Sequence, residues 1–192
     1  MDYFATDKLV EPEKGDLLIS EPYLPDPNFE RTVILLCAHD ENGSFGFVLN
    51  KPSKSQLSEL IEETDGFESD VYIGGPVQQN TLHFLHKSPA KLNGDKEIVN
   101  GVYWGIDFEN LVSSINMKVV EPSDLKFFVG YSGWSEGQLW DELKAKSWIV
   151  YKKATPELVF ELNPDELWKE ALNNMGGKFK VISNYPTDPR LN

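Results

Sequence analysis

A chain of 192 residues with 40% apolar and 12% aromatic side chains can bury a core of its own, and five Trp with eleven Phe exclude a disordered polymer. A net charge of −13 repels phosphate backbones and weighs against direct nucleic-acid binding through a broad basic face. The single cysteine, Cys37, excludes a disulfide within the chain. No window reaches the ~20 apolar residues that span a bilayer, so a cytoplasmic protein without membrane association is expected.

In chain order, residues 1–14 mix charges with scattered apolar side chains and read as a loosely ordered end. Asp16–Ser20 is a short strand, and Pro22, Pro25 and Pro27 hold the following loop extended, with Asp26 placed to cap a turn. Leu24–Lys51 contains the strongest hairpin: apolar runs Thr32–Ala38 and Phe45–Leu49 flank the polar turn His39–Ser44, with Gly43 expected at positive φ. Cys37 falls inside the first run and reads as a small buried hydrophobe. Ser53 with Gln56 has capping-box spacing and predicts a helix through Leu57, Leu60, Ile61 and Thr64, ended by Gly66.

Asp70–Ile73 and Thr81–His86 are predicted strands, separated by Gly74-Gly75-Pro76. Asn93-Gly94-Asp95 is a predicted turn, and Glu97–Trp104 a strand interrupted at Asn100-Gly101. Asp107 caps a second helix carrying Phe108, Leu111, Val112 and Ile115; Lys126–Gly130 is a buried strand; Ser135–Lys146 a third helix; and Trp148–Tyr151 a strand. Thr155-Pro156 and Asn163-Pro164 both pair an N-cap with Pro at N1, the second opening a helix that presents Leu167, Trp168, Ala171, Leu172 and Met175 on one face and stops at Gly176. The end from Ser183 to Asn192 is expected to be loose. Strands and helices alternate without a βαβ repeat, which predicts one α+β domain over residues 1–192 with a largely antiparallel sheet.

Few constellations could carry chemistry. Gly133-Trp134-Ser135-Glu136-Gly137 matches G-x-S-x-G, but all three histidines, His39, His83 and His86, precede Ser135, against the order of the elbow's triad, and Ser135 with Gln138 is itself a capping box. Only a chymotrypsin-like order, His39 before Ser135, stays open. His83 and His86 fall on opposite faces of a strand and read as paired edge-strand histidines, so no metal site and no cofactor are expected. Gly74-Gly75 could offer backbone N–H groups to an anion, but a tight turn is the better reading. Gly130–Gln138 combines three glycines, two large aromatics and two hydroxyls: Tyr131 and Trp134 serve either recognition or the core. Arg31 suits a ligand or an ion pair with Asp26 or Asp107.

Several ordered motifs go further. They are G-D-L-L-I-S-E-P at Gly15–Pro22, D-P-x-F-x-R-T-V at Asp26–Val33 and H-D-x-x-G-x-x-G-x-V-L-N-K-P at His39–Pro52. They continue with G-G-P-V-Q at Gly74–Gln78, L-H-F-L-H at Leu82–His86, G-V-Y-W-G at Gly101–Gly105, G-Y-S-G-W-x-x-G-Q-L at Gly130–Leu139 and S-W at Ser147-Trp148. Together they resemble the AlgH/YqgE family of bacterial proteins over Gly15 to Tyr151. The chain departs from that pattern at Ile106 and Ser135, where glycine is expected. The resemblance implies an α+β fold with coiled, partly bifurcated sheets and a label of transcriptional regulator. It brings no catalytic residues, cofactor or ligand.

The expected function is therefore regulation through an unknown protein partner rather than catalysis. The alternative is a small-molecule or anion binder, or an enzyme of undefined chemistry, using the glycine-rich turns. The candidate binding residues are Asp26, Arg31, His39, Asn50, Gly74, Gly75, Gln78, Tyr131, Ser132, Trp134 and Gln138.

Overall fold

The computed structural model describes residues 9–87, 92 and 96–188. The expected turn at Asn93-Gly94-Asp95 lies outside them, as do most of the N-terminal end and the last four residues. The strands are β1 (Leu17–Ser20), β2 (Val33–Asp40), β3 (Gly43–Val48), β4 (Pro52–Gln56), β5 (Asp70–Ile73), β6 (Val77–His86), β7 (Lys96–Val99), β8 (Val102–Gly105), β9 (Leu125–Ser135) and β10 (Trp148–Tyr151). The helices are α1 (Leu57–Leu60), α2 (Phe108–Asn116), α3 (Gln138–Lys144), α4 (Pro164–Met175) and α5 (Gly177–Ile182).

The strands form one open sheet in the order β10-β1-β2-β3-β9-β6-β8-β7, with β5 joined to β9 and β4 to β5. Pairing is antiparallel except between β5 and β9. The sheet branches at β9: Phe127–Val129 pair with β5, whereas Ser132–Ser135 pair with β3. The architecture is thus α+β, largely antiparallel and bifurcated.

Alternation along the central strands sends successive apolar residues into different layers. Leu17, Ile19, Val33, Leu35, Cys37 and Phe47 face one layer, closed by α4 through Leu167, Trp168, Ala171 and Leu172. Burying each such apolar side chain contributes about 1.5–3 kcal/mol. Leu18, Ile34, Leu36 and Val48 face the other layer, closed by Leu139 and Leu143 of α3 and by Trp134 and Trp148. A third cluster joins Phe84 and Phe127 to Leu57 of α1 and Leu111 and Ile115 of α2.

The hairpin forms, with Gly43 at φ +142°, but its strands run through His39-Asp40 and Gly43-Ser44 and leave only Glu41-Asn42 as the turn. Asn163 caps α4 by accepting from Asp165 N at 3.0 Å. Several expectations are corrected. Ser53 does not cap a helix: Pro52–Gln56 is strand β4 against β5, and the box is made by Gln56 with Glu59 at the start of α1. Glu97–Trp104 is not one interrupted strand, because Asn100-Gly101 turns the chain so that β7 and β8 pair. The third helix spans only Gln138–Lys144. His83 and His86 do point to opposite sides, but not from an edge strand: β6 lies between β9 and β8.

The last correction shapes the rest of the molecule. The predicted strand Lys126–Gly130 continues to Ser135. Gly130 takes φ +66°, and the pairing with β6 slips there, Val77 facing Tyr131 while Leu82 faces Val129. One irregular residue inverts the alternation beyond it. Tyr131 therefore packs with Phe128 and Phe47 on one side, while Trp134 joins the opposite layer.

Candidate functional site

The end of the first layer that α4 leaves uncovered is aromatic. Phe45 of β3, Tyr131 of β9, His83 of β6 and Trp104 of β8 stand around an open cleft of about 620 Å³. Neighbouring ring centroids are 4.9 Å apart for Phe45–Trp104, 6.4 Å for Trp104–His83, 6.1 Å for His83–Tyr131 and 6.1 Å for Tyr131–Phe45. Phe47, fully buried, lies beneath, 5.2 Å from His83 and 6.0 Å from Phe45. The pairs made by Phe45 and the His83–Tyr131 pair are edge-to-face, a favoured geometry for aromatic rings, and the contacts of His83 with Trp104 and Phe47 are tilted. Val77, Ala38 and Gly133 complete the walls, with Asp40, Asn42 and Ser44 at the hairpin end.

Burial lowers the His83 pKa, so its imidazole is neutral at neutral pH. Its Nε2 lies 2.9 Å from Thr81 Oγ1. The Asp40 carboxylate accepts from Asn42 N at 2.8 Å, which holds the hairpin tip. Asp40 is the one formally charged side chain among the described lining residues.

On the opposite side of β9 lies a second hollow of about 380 Å³, lined by Leu24, Asp26, Phe29, Pro76, Gln138 and Trp148, among others. Its wall is fixed by Glu142. One carboxylate oxygen accepts from the indole N–H of Trp134 at 2.9 Å and of Trp148 at 2.7 Å, and the other accepts from Gln138 Nε2 at 3.0 Å. Asp26 turns the preceding loop by accepting from Asn28 N at 2.8 Å.

The eleven candidate residues thus separate. Tyr131 and Trp134 line the aromatic cleft, and Asp26, Trp134 and Gln138 the second hollow. Trp134 is 6% exposed and is chiefly a core residue. Asn50 is spent within the fold: its Oδ1 accepts from Val33 N at 2.8 Å and its Nδ2 donates to Arg31 O at 2.9 Å. Ser132 is buried and donates to Gly74 O at 3.1 Å. His39 Nδ1 lies 2.6 Å from Ser44 Oγ across the hairpin, so the candidate base for Ser135 is already engaged. Ser135 Oγ bonds Gln138 Oε1 at 3.3 Å, and Ser135 ends a strand rather than occupying an elbow.

Gly74 donates to Val129 O and accepts from Val48 N, so its backbone groups serve the sheet and not an anion. A Cβ at Gly74 would stand 2.4 Å from Gly130 O, and one at Gly75 2.2 Å from Tyr131 C, so these glycines permit close approach to β9. Gln78 is exposed, with φ +46°, at the slip in β6. Arg31 pairs with neither Asp26 nor Asp107: its guanidinium lies 4.6 Å from the Trp168 ring centroid and donates to the carbonyls of Tyr185 and Pro186 at 2.6 and 2.7 Å. It fastens the C-terminal segment to the loop before β2.

Phe45, His83, Trp104 and Asp40 were not among the sequence candidates for the cleft. Aromatic residues recurring at alternate strand positions were the available signal, and it acquires meaning only with strand register. Cys37 is 3% exposed and burial raises its pKa far above the usual range, as suits a core thiol. Among the described residues no group of three or more His, Cys, Asp and Glu side chains could hold a metal, and no helix is long and apolar enough to cross a membrane.

Fold and cleft together define an α+β protein built on an open, branched sheet with an aromatic-walled hollow beside its central strand. The family model described as AlgH-like matches residues 17–180, and the chain belongs to that family. A UPF0301 protein of Cytophaga hutchinsonii is 47% identical over 180 residues, covering 93% of this chain and 98% of the relative. A UPF0301 protein of Chlorobium luteolum is 41% identical over 178 residues, covering 93% and 94%. The solution structure of the AlgH protein from Pseudomonas aeruginosa superposes with a TM-score of 0.70 at 29% identity, covering 94% of this chain and 98% of that one. A crystal structure from Corynebacterium diphtheriae, at 23% identity and TM-score 0.79 over 95% and 97% of the two chains, has the same fold.

Proposed function

We propose that this protein is a binding module whose ligand is a small molecule received in the aromatic cleft. The observation that carries this reading is an open cleft of about 620 Å³ walled by four rings from four different strands, each held by the sheet. Hollows of this size with apolar walls and a few polar groups are the usual form of small-molecule sites. Rigid strands position the rings with little ordering cost on binding. The backbone groups of Gly74 are engaged within the sheet, which weighs against the glycine turns as an anion cradle.

The test is a fragment screen by ¹H–¹⁵N NMR, reading the Trp104 indole and the backbone signals of Phe45 and Tyr131. Cyclic fragments that shift these signals together, and lose affinity about tenfold or more in Trp104→Ala, support the reading. A screen of several hundred fragments that leaves all three signals unmoved refutes it.

A second reading, regulation through a protein partner, is favoured by the other hollow. It gathers Asp26, Phe29, Pro76, Gln138 and Trp148 from segments far apart in sequence. A net charge of −13 suits contact with a basic protein surface better than with a duplex. Capture experiments comparing the native chain with Asp26→Lys and Gln138→Lys test this reading; equal recovery of every partner counts against the surface.

A further inference from the structure

We propose that the cleft recognises an organic cation, a substituted ammonium group carried on an apolar body, with the Asp40 carboxylate as its counter-charge. This rests on the reading of the cleft as a small-molecule site and names the ligand class.

Four rings present π faces and edges to the same space, and ring faces attract cations. A neutral hydrophobic ligand would be served by aliphatic walls; here the aliphatic contribution is limited to Val77 and Ala38. The formal charge among the described lining residues is a carboxylate, Asp40, and no Lys or Arg is among them. Asp40 uses one oxygen to fix the hairpin tip, so the carboxylate is held in place at the cleft mouth.

The chain itself supplies a precedent. Lys96 Nζ lies 5.8 Å from the centroid of Trp104, so that ring already takes part in a cation–π contact, and the Lys96 charge opposes a second cation on its side of the ring. The neutral imidazole of His83 adds no opposing charge at neutral pH. The acidic surface of the whole chain raises the local concentration of cations and opposes anions.

The discriminating probes are choline and its uncharged carbon isostere 3,3-dimethylbutan-1-ol, which have nearly the same shape and differ in charge. Calorimetric titration at low ionic strength, with the Trp104 indole N–H followed by NMR, is expected to show choline binding at least tenfold tighter than the alcohol. Asp40→Asn, which keeps the bond to Asn42 N, is expected to weaken choline about tenfold and leave the alcohol unchanged. Trp104→Ala is expected to weaken both, with folding checked by the amide spectrum. Equal affinities for the two probes, or a preference untouched by Asp40→Asn, would overturn the assignment to cations while leaving a small-molecule cleft intact. Binding of neither probe, at millimolar concentration, would overturn this assignment; loss of all fragment binding as well would remove the cleft reading itself.

Discussion

Replacing Lys126 by Met should stabilise the protein at neutral pH and remove a distinctive pH dependence. Lys126 lies near the start of β9 and is 6% exposed. Its Nζ donates to Val159 O at 3.0 Å and stands 4.2 Å from the Tyr72 ring centroid. These contacts do not outweigh burial, which pulls its pKa from 10.5 down to about 7. A depression of that size corresponds to roughly 5 kcal/mol of preference for the neutral amine. The unfolded chain keeps the proton up to pH 10.5, whereas the folded chain releases it near pH 7. The unfolded state therefore binds more protons between these values, and stability rises with pH across that window. The full penalty is present below pH 7 and gone above 10.5.

Lys126→Met keeps the length and apolar stem and deletes the charge. It forfeits the bond to Val159 O, worth about 1 kcal/mol. The variant should be more stable than the native chain by about 2–4 kcal/mol at pH 7. That advantage should shrink by about 3 kcal/mol by pH 9.5. Urea unfolding followed by tryptophan fluorescence at the two pH values measures both quantities. Native and variant stabilities that stay parallel from pH 7 to 9.5 would refute the assignment of a buried-charge penalty to this lysine.

Three further outcomes are expected. Glu142→Ala should cost about 2–3 kcal/mol in urea unfolding, because two buried indole N–H groups lose their acceptor, and Glu142→Gln should recover part of the loss. Asp16→Ala should cost about 3 kcal/mol, since this fully buried carboxylate accepts from Lys152 Nζ at 2.7 Å, from Glu13 N at 2.7 Å and from Lys153 N at 2.9 Å, and thermal melts should report it. Gly130→Ala should cost about 1–3 kcal/mol and disturb the Tyr131 and Trp104 signals, because its φ is +66° and a Cβ would stand 2.7 Å from Gly75 O and 2.8 Å from Val77 O; an unchanged spectrum would contradict the role given to the slip.

Much of the architecture was legible because local chemistry and tertiary context agreed. The hairpin at residues 33–48 announces itself through two apolar runs and Asn42-Gly43, and α4 through Asn163-Pro164 and a 3.6-residue apolar stripe. Where they disagreed, pairing won. Ser53–Gln56 has the chemistry of a helix start, but its backbone completes β4 against β5. Gly130 looked like a strand end because glycine usually stops a strand, yet here it is the point where β9 changes partners. Tyr131 was recognisable as a candidate from its glycine-rich surroundings, and it stands in the cleft wall. Phe45, His83 and Trp104 were not, since each reads as an ordinary strand residue and only register unites them. Arg31 could not be assigned from sequence because its partners are backbone carbonyls 154 and 155 residues away.

The branching of the sheet at β9 governs the order in which the molecule can come together. β3 and β6 flank β9, and they are complete by residue 86, yet the strand between them begins at residue 125. Gly43 finds Ser135, its partner, only when the chain has extended far beyond the hairpin. During synthesis from the N-terminus, three groups of strands, β1–β3, β4–β5 and β6–β8, precede the strand that joins them, each with an open edge. Such long-range closure is slow, and open edges are where nascent chains stick to one another. A single eleven-residue segment then arrives, pairs with β3, β5 and β6 and joins all three groups into one sheet.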